Sequence, residues 1–192
     1  MQSEITKLNK SLKKYLFLDE IDDIILFGSL LKGKDKPNDI DLLIIFKEKI
    51  NKNLEFELRK KLKDPYQINS ITKKELDGDN FIAKEGLYLE GYSFFKKDYL
   101  SNSLGFISLG YLKYDLKNIK GSKRIRFYYA LMGRNKSKGF LSELNAKRFS
   151  DSVIVCDYSQ IEKLKEFFDN WEIDYIIVPS LVPKRLKKIL LV

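Results

Sequence analysis

The sequence predicts an α+β protein in two parts, on three observations. Two short apolar runs, Ile24 to Phe27 and Leu42 to Phe46, read as buried strands joined through a Gly28-Ser29 turn. Segments with helical periodicity occur beside further short apolar runs, so the chain holds both helices and strands. Charge then divides the molecule: residues 1–101 carry 19 Lys+Arg and 18 Asp+Glu, whereas residues 102–192 carry 17 and 9. The polar stretch 96–104 marks the boundary. We therefore expect a first domain over 1–101 and a small, basic α/β domain over 102–192.

The composition is that of a folded globular chain, with 44% apolar and 33% charged residues among 192. No apolar run approaches the ~20 residues needed to span a bilayer. The start, Met1-Gln2-Ser3-Glu4, lacks the layout of a secretory signal, so the expectation is a cytoplasmic protein with no membrane partner. The single cysteine, Cys156, lies in the apolar run 153–156 and is expected to be a buried thiol. Histidine is absent, which excludes imidazole zinc sites and a histidine base; any general base must be a carboxylate, a lysine or a tyrosine.

In chain order, Ser3-Glu4 can start a helix whose face is Ile5, Leu8, Leu12 and Tyr15. Ile21 to Phe27 is the first strand. Gly28 to Gly33 is expected to be a turn opening a short helix, and 34–38 a solvated loop closed by Pro37. Ile40 to Phe46 is the second strand. Ile50, Leu54, Leu58 and Leu62 recur every fourth residue, giving an amphipathic helix over 49–63 that Asp64-Pro65 stops. Tyr66 to Ile71 is a third strand and Lys73 to Lys84 a helix, followed by the glycine-bounded segment 86–91. In the second half, Phe106–Tyr114, Val153–Cys156 and Tyr175–Val178 read as strands. Ser122–Met132 and Ser159–Asn170 read as helices, the latter with a Ser159/Glu162 capping box. Residues 133–139 form a basic loop. Pro179 and Pro183 are expected to end the strand region before a basic, apolar tail.

The chemistry concentrates between the first two strands. Asp39 and Asp41 stand at i and i+2, so on a strand they project to the same face. Two adjacent carboxylates repel and raise each other's pKa unless a cation joins them. An oxygen-only pair favours Mg²⁺ or Mn²⁺. The Gly28-Ser29 turn offers free backbone N–H groups to phosphate oxygens. Lys32 reads either as a phosphate contact or as a solvated surface lysine. A phosphate cradle beside a two-carboxylate metal site is equipment for nucleotidyl transfer.

Gly28-Ser29, nine residues, then Asp39-Ile40-Asp41 on an apolar strand resembles the signature of the DNA polymerase β-like nucleotidyltransferase superfamily, most closely the minimal enzymes of archaea and bacteria. The resemblance spans roughly 20–95. It implies a mixed sheet with helices on one side, a nucleoside triphosphate (ATP foremost) as substrate, and transfer of its monophosphate to a hydroxyl of RNA or protein with release of pyrophosphate. It also implies a third carboxylate on the third strand and a short closing strand within 86–91. At the third corner this chain has Asn69, which carries no charge and cannot act as a base. That departure keeps a second expectation open: a weak or inactive nucleotide-binding, antitoxin-like regulator.

From Lys113 to Arg148 there are 11 basic and 2 acidic residues, interleaved with aromatics. This reads as a nucleic-acid surface, as a solvated face, or as a phosphate clamp through Lys123, Arg124 or Arg126, with Arg134 a further candidate contact. Residues Arg126 to Arg134 also look similar to C-terminal extensions of archaeal members of the superfamily.

Overall fold

Alternation of apolar side chains builds the first layer. The computed structural model describes residues 2–34, 37–78, 81–135 and 137–191, and the chain divides into two units, 1–104 and 105–192. The first unit runs α1 (Gln2–Leu12), β1 (Ile21–Phe27), β2 (Ile40–Phe46), α2 (Lys52–Leu62), β3 (Tyr66–Thr72), α3 (Lys73–Asp77), α4 (Lys84–Glu90), β4 (Tyr92–Ser93), β5 (Asp98–Tyr99) and α5 (Leu100–Ser103). Its five-stranded sheet has the order β3-β2-β1-β4-β5. The β2–β3 pair is parallel and the other pairs are antiparallel, so the sheet is mixed.

Because successive strand residues point to opposite faces, Ile24, Leu26, Leu42, Ile44 and Phe46 share one face. They bury against Ile5, Leu8 and Leu12 of α1 and Leu54 and Leu58 of α2. The Asn51 side chain caps α2 by accepting from the N–H groups of Asn53 and Leu54. The long helices thus lie on one side, as the resemblance implied. The opposite face is not bare: Ile25, Leu43 and Ile45 pack with Leu76, Leu87 and Leu100, which are supplied by α3, α4 and α5.

Local differences from the expected elements have physical causes. Gly28 to Gly33 forms successive turns and no helix. The helix expected over 73–84 is confined to α3, started by a Thr72–Glu75 capping box and ended at Gly78; Asp79 and Asn80 lie outside the described residues. The segment 86–91, expected as a strand, belongs to α4, and the closing strand is the short β4 that follows Gly91. Asp35 and Lys36 of the expected loop also lie outside the described residues.

The second unit runs β6 (Phe106–Tyr114), α6 (Gly121–Met132), β7 (Gly133–Arg134), β8 (Ser137–Lys138), α7 (Phe140–Glu143), β9 (Lys147–Ser150), β10 (Val153–Asp157), α8 (Ile161–Asn170), β11 (Tyr175–Pro183) and α9 (Lys187–Leu191). The small α/β domain expected here is a two-layer unit whose main sheet, β11-β6-β10-β9, is antiparallel throughout. Leu112, Tyr114, Ile154 and Cys156 face α6 and α8, where Phe127 meets the rings of Tyr114, Phe168 and Trp171. The basic loop 133–139 holds the β7–β8 hairpin, with Lys136 outside the described residues. No Ser159/Glu162 capping box forms. Asp157 accepts from the N–H and hydroxyl of Ser159, and Glu162 pairs with Lys165. The last long strand runs through Pro179 to Pro183. It is an edge strand paired only with β6, so a residue without an N–H is tolerated.

Cys156 is fully buried, and burial, with the nearby Asp157 charge, pushes its thiol up to about 12. The thiolate is the reactive form. A disulfide reagent such as dithiobis-nitrobenzoate should therefore leave the native protein unmodified over hours and titrate one thiol within minutes in denaturant.

Candidate active site

Strand β2 enters the sheet at Ile40, between Asp39 and Asp41. Asp39 is exposed and Asp41 half-buried. Asp41 shares its face with Leu43 and Ile45, and in the ladder it stands opposite Phe27, the last residue of β1. The chain then turns at Gly28 with φ +91°, in the left-handed region. A Cβ on Gly28 would lie 2.4 Å from Asp41 Oδ2. The missing side chain is what lets the turn and the carboxylate approach.

After Gly28 the turns close in sequence: Leu31 N–H donates to the Gly28 carbonyl, Lys32 to Ser29 and Gly33 to Leu30. Among the described residues the N–H groups of Ser29 and Leu30 have no acceptor. They form the anion-seeking end of the turn, next to Asp41. Asp39 and Asp41 likewise have no hydrogen-bond or ion-pair partner among the described residues. Burial raises the Asp41 pKa above the ordinary value, Asp39 raises it further, and Lys32 opposes both. An unpaired, half-buried carboxylate beside another is poorly solvated and fits a hard divalent cation. Among the described residues no group of three or more Asp, Glu, Cys or His side chains could hold a metal ion.

A carboxylate that the sequence did not announce stands beside the turn. Glu90, at the end of α4, is 9% exposed. Its Oε1 accepts from the Gly28 N–H at 3.1 Å, and its Oε2 pairs with Lys32 Nζ at 3.0 Å. Read as part of a strand, Glu90 carries no signal. The usable signal is helical, since Leu87 and Glu90 lie at i and i+3 and are the two buried residues of α4. Lys32 is thus placed at the turn, but its nearest described anion is Glu90.

Asn69 lies on β3, on the same sheet face as Asp41. The parallel register sets it against Leu43 and puts Gln67 against Asp41. Both side chains are exposed amides. Lys123, Arg124, Arg126 and Arg134 all belong to the second unit. Lys123 pairs with Glu172 at 2.9 Å, and Arg134 stacks over Tyr129 at 4.9 Å.

Asp23 is a second buried carboxylate on the site's face, lining a cavity of about 270 Å³ under α3 and α4. It accepts from Ser93 Oγ and from the N–H groups of Ile24 and Phe95. Burial raises its pKa more than these bonds lower it. A raised carboxyl keeps its proton in the folded state after the unfolded chain has lost its own. Stability therefore falls as pH rises from the ordinary value of 3.8 through the raised one. Asp23→Asn should flatten this decline in urea unfolding measured as pH rises from 3.8.

A family model described as Polymerase beta, Nucleotidyltransferase matches residues 6–89. The search of curated proteins and that of solved structures gave no significant match. The matched segment begins within α1 and runs through β3 into α4, with Gly28, Ser29, Asp39 and Asp41; Glu90 and the second unit lie beyond it. Residues 6–89 match this family model, and the mixed sheet with its Gly28 turn is consistent with a polymerase β-like nucleotidyltransferase domain.

Proposed function

We propose that the protein moves a nucleoside monophosphate from a nucleoside triphosphate, ATP foremost, to an acceptor hydroxyl on RNA or protein. The observation that carries this reading is Asp41, without a partner among the described residues and set against the Gly28 turn with its two open N–H groups, with the exposed Asp39 two residues before it. The Ser29 and Leu30 N–H groups would take oxygens of the β/γ phosphates, and Lys32 would add positive charge. Mg²⁺ or Mn²⁺ held by Asp39 and Asp41 would polarise the phosphorus and offset the developing charge. The acceptor oxygen bonds to the α-phosphorus, the α–β bridge breaks, pyrophosphate leaves and the hydroxyl proton passes to solvent. Among the described residues no helix is long and apolar enough to cross a membrane; a cytoplasmic setting, where magnesium triphosphates are plentiful, belongs to the same proposal.

A second reading rests on β3. Gln67 and Asn69 put amides where a third carboxylate would stand, which favours a protein that binds nucleotide with slow or no turnover. Labelled pyrophosphate released on mixing protein, Mg²⁺, γ-labelled ATP and total RNA or candidate proteins separates the two. Acceptor-dependent release supports transfer. ATP binding with no release from any acceptor supports the regulator.

Glu90 occupies a donor and a cation that an incoming phosphate would use. Glu90→Gln keeps an acceptor for the Gly28 N–H and removes the competing charge. Its affinity for ATP, measured by titration calorimetry, should rise several-fold over wild type.

A further inference from the structure

The second unit strings β6, α6–α7, β9, β10, α8 and β11 into a sheet of order β11-β6-β10-β9. This is the split β-α-β arrangement, with the long helices on one face of an antiparallel sheet. Among the described residues of the second unit, α9 covers one end of the other face, where Leu190 and Leu191 pack with Ile107, Leu109 and Val155 and Tyr111 is partly buried beside them. Next to this cluster the face carries exposed side chains. Tyr111 and Phe149 stand edge to face there, ring centres 5.6 Å apart. Val178 sits opposite Tyr111 and Ile176 opposite Lys113 on the paired strands. Phe149 is 58% exposed, Val178 52% and Ile176 66%.

Two features select the occupant. The first is charge. Lys113 shares the face, and the segment from Tyr175 to Val192 that brings α9 across it holds Lys184, Arg185, Lys187 and Lys188 and no acid. Among the described strand residues on this face the one acid is Asp157, which is bonded to Ser159. The second is ring geometry. An aromatic platform on a four-stranded sheet, rimmed by cations, suits unpaired bases, whose flat faces stack and whose phosphates need counter-charge.

We propose that this open sheet face binds single-stranded nucleic acid, with bases stacked on Phe149 and Tyr111 and phosphates met by Lys113 and the C-terminal cations. The proposal rests on the transfer reading only for its purpose, holding an RNA acceptor; the binding needs neither triphosphate nor metal. It moves the contact away from Arg124 and Arg126, which belong to α6 on the helical side.

The test is fluorescence anisotropy of the full chain with a fluorescein-labelled single strand of about ten nucleotides, in EDTA and without triphosphate. RNA and DNA of one sequence are run in parallel arms. Wild type should bind, with affinity falling as salt rises. Phe149→Ala should weaken binding about tenfold. Phe149→Leu, which keeps the apolar bulk but not the ring, should weaken it similarly, whereas a protein-docking face would tolerate leucine. Lys113→Glu should weaken binding and lower the salt dependence. Asp39→Ala/Asp41→Ala should bind like wild type, so failure of the transfer reading leaves this result intact. Absence of binding by wild type to either strand would overturn the proposal. So would unchanged binding in both Phe149 variants, or loss on Arg124→Ala/Arg126→Ala alone.

Discussion

Asp41→Ala is expected to weaken magnesium-dependent ATP binding by at least about a hundredfold, since a metal's share of phosphate stabilisation is several kcal/mol and each 1.4 kcal/mol is tenfold. The same variant should be no less stable than wild type without metal. Asp41 has no described partner to lose, and its raised pKa means the folded state holds its charge at a cost. Lost binding with equal or higher stability separates a ligand role from a structural one. Asp41→Asn should behave alike, because an amide keeps the shape and removes the charge. In wild type the raised pKa lets protons compete with Mg²⁺ at a higher pH than an ordinary aspartate would allow. Magnesium affinity should therefore hold above the raised value and fall as pH drops through it, and a titration series in pH checks the sign.

Gly28→Ala is expected to unfold the turn or displace Asp41, at a cost of about 2–3 kcal/mol. Two causes combine. An alanine at φ +91° bears the penalty of the left-handed region. Its Cβ would also fall 2.4 Å from Asp41 Oδ2, where no pair of such atoms fits. Denaturant unfolding should show the loss, and ATP affinity should fall with it because the carboxylate must move. Combining Gly28→Ala with Asp41→Ala should recover the steric part only. The double variant would then be more stable than Gly28→Ala and less stable than Asp41→Ala, a non-additivity that contact predicts.

Much of the first unit was legible because local pattern and tertiary role coincide. The strands β1 and β2 show their burial in the run of apolar residues, and the i, i+2 spacing of Asp39 and Asp41 fixes their common face whatever surrounds them. The glycine before Ser29 was legible as a turn, but the reason for it is tertiary: Asp41 lies against it. Register was not legible. A parallel pairing is set by distant contacts, so Asn69 could be named as a candidate third corner but not placed; the ladder sets Gln67 beside Asp41. Glu90 was hidden because its segment was read with strand periodicity, in which its contact with the Gly28 turn has no precursor.

In the second unit, Lys147–Ser150 is an exposed edge strand without apolar alternation, so β9 leaves no trace in composition. Conversely, Pro179 suggested a strand end and was overruled because β11 is an edge. The positive charge of this half was legible, but which face uses it depends on topology, and the sheet order that opens Tyr111 and Phe149 is a property of the folded unit alone.

Under the proposed function, Asp39, Asp41 and the Gly28 turn together hold a magnesium triphosphate. Titration calorimetry of ATP into wild type and Asp39→Asn/Asp41→Asn, each with Mg²⁺ and with EDTA, tests it most directly. Wild type should bind only when Mg²⁺ is present, and the double variant in neither condition. Equal ATP binding by the two proteins in Mg²⁺, or wild-type binding unaffected by EDTA, would contradict it.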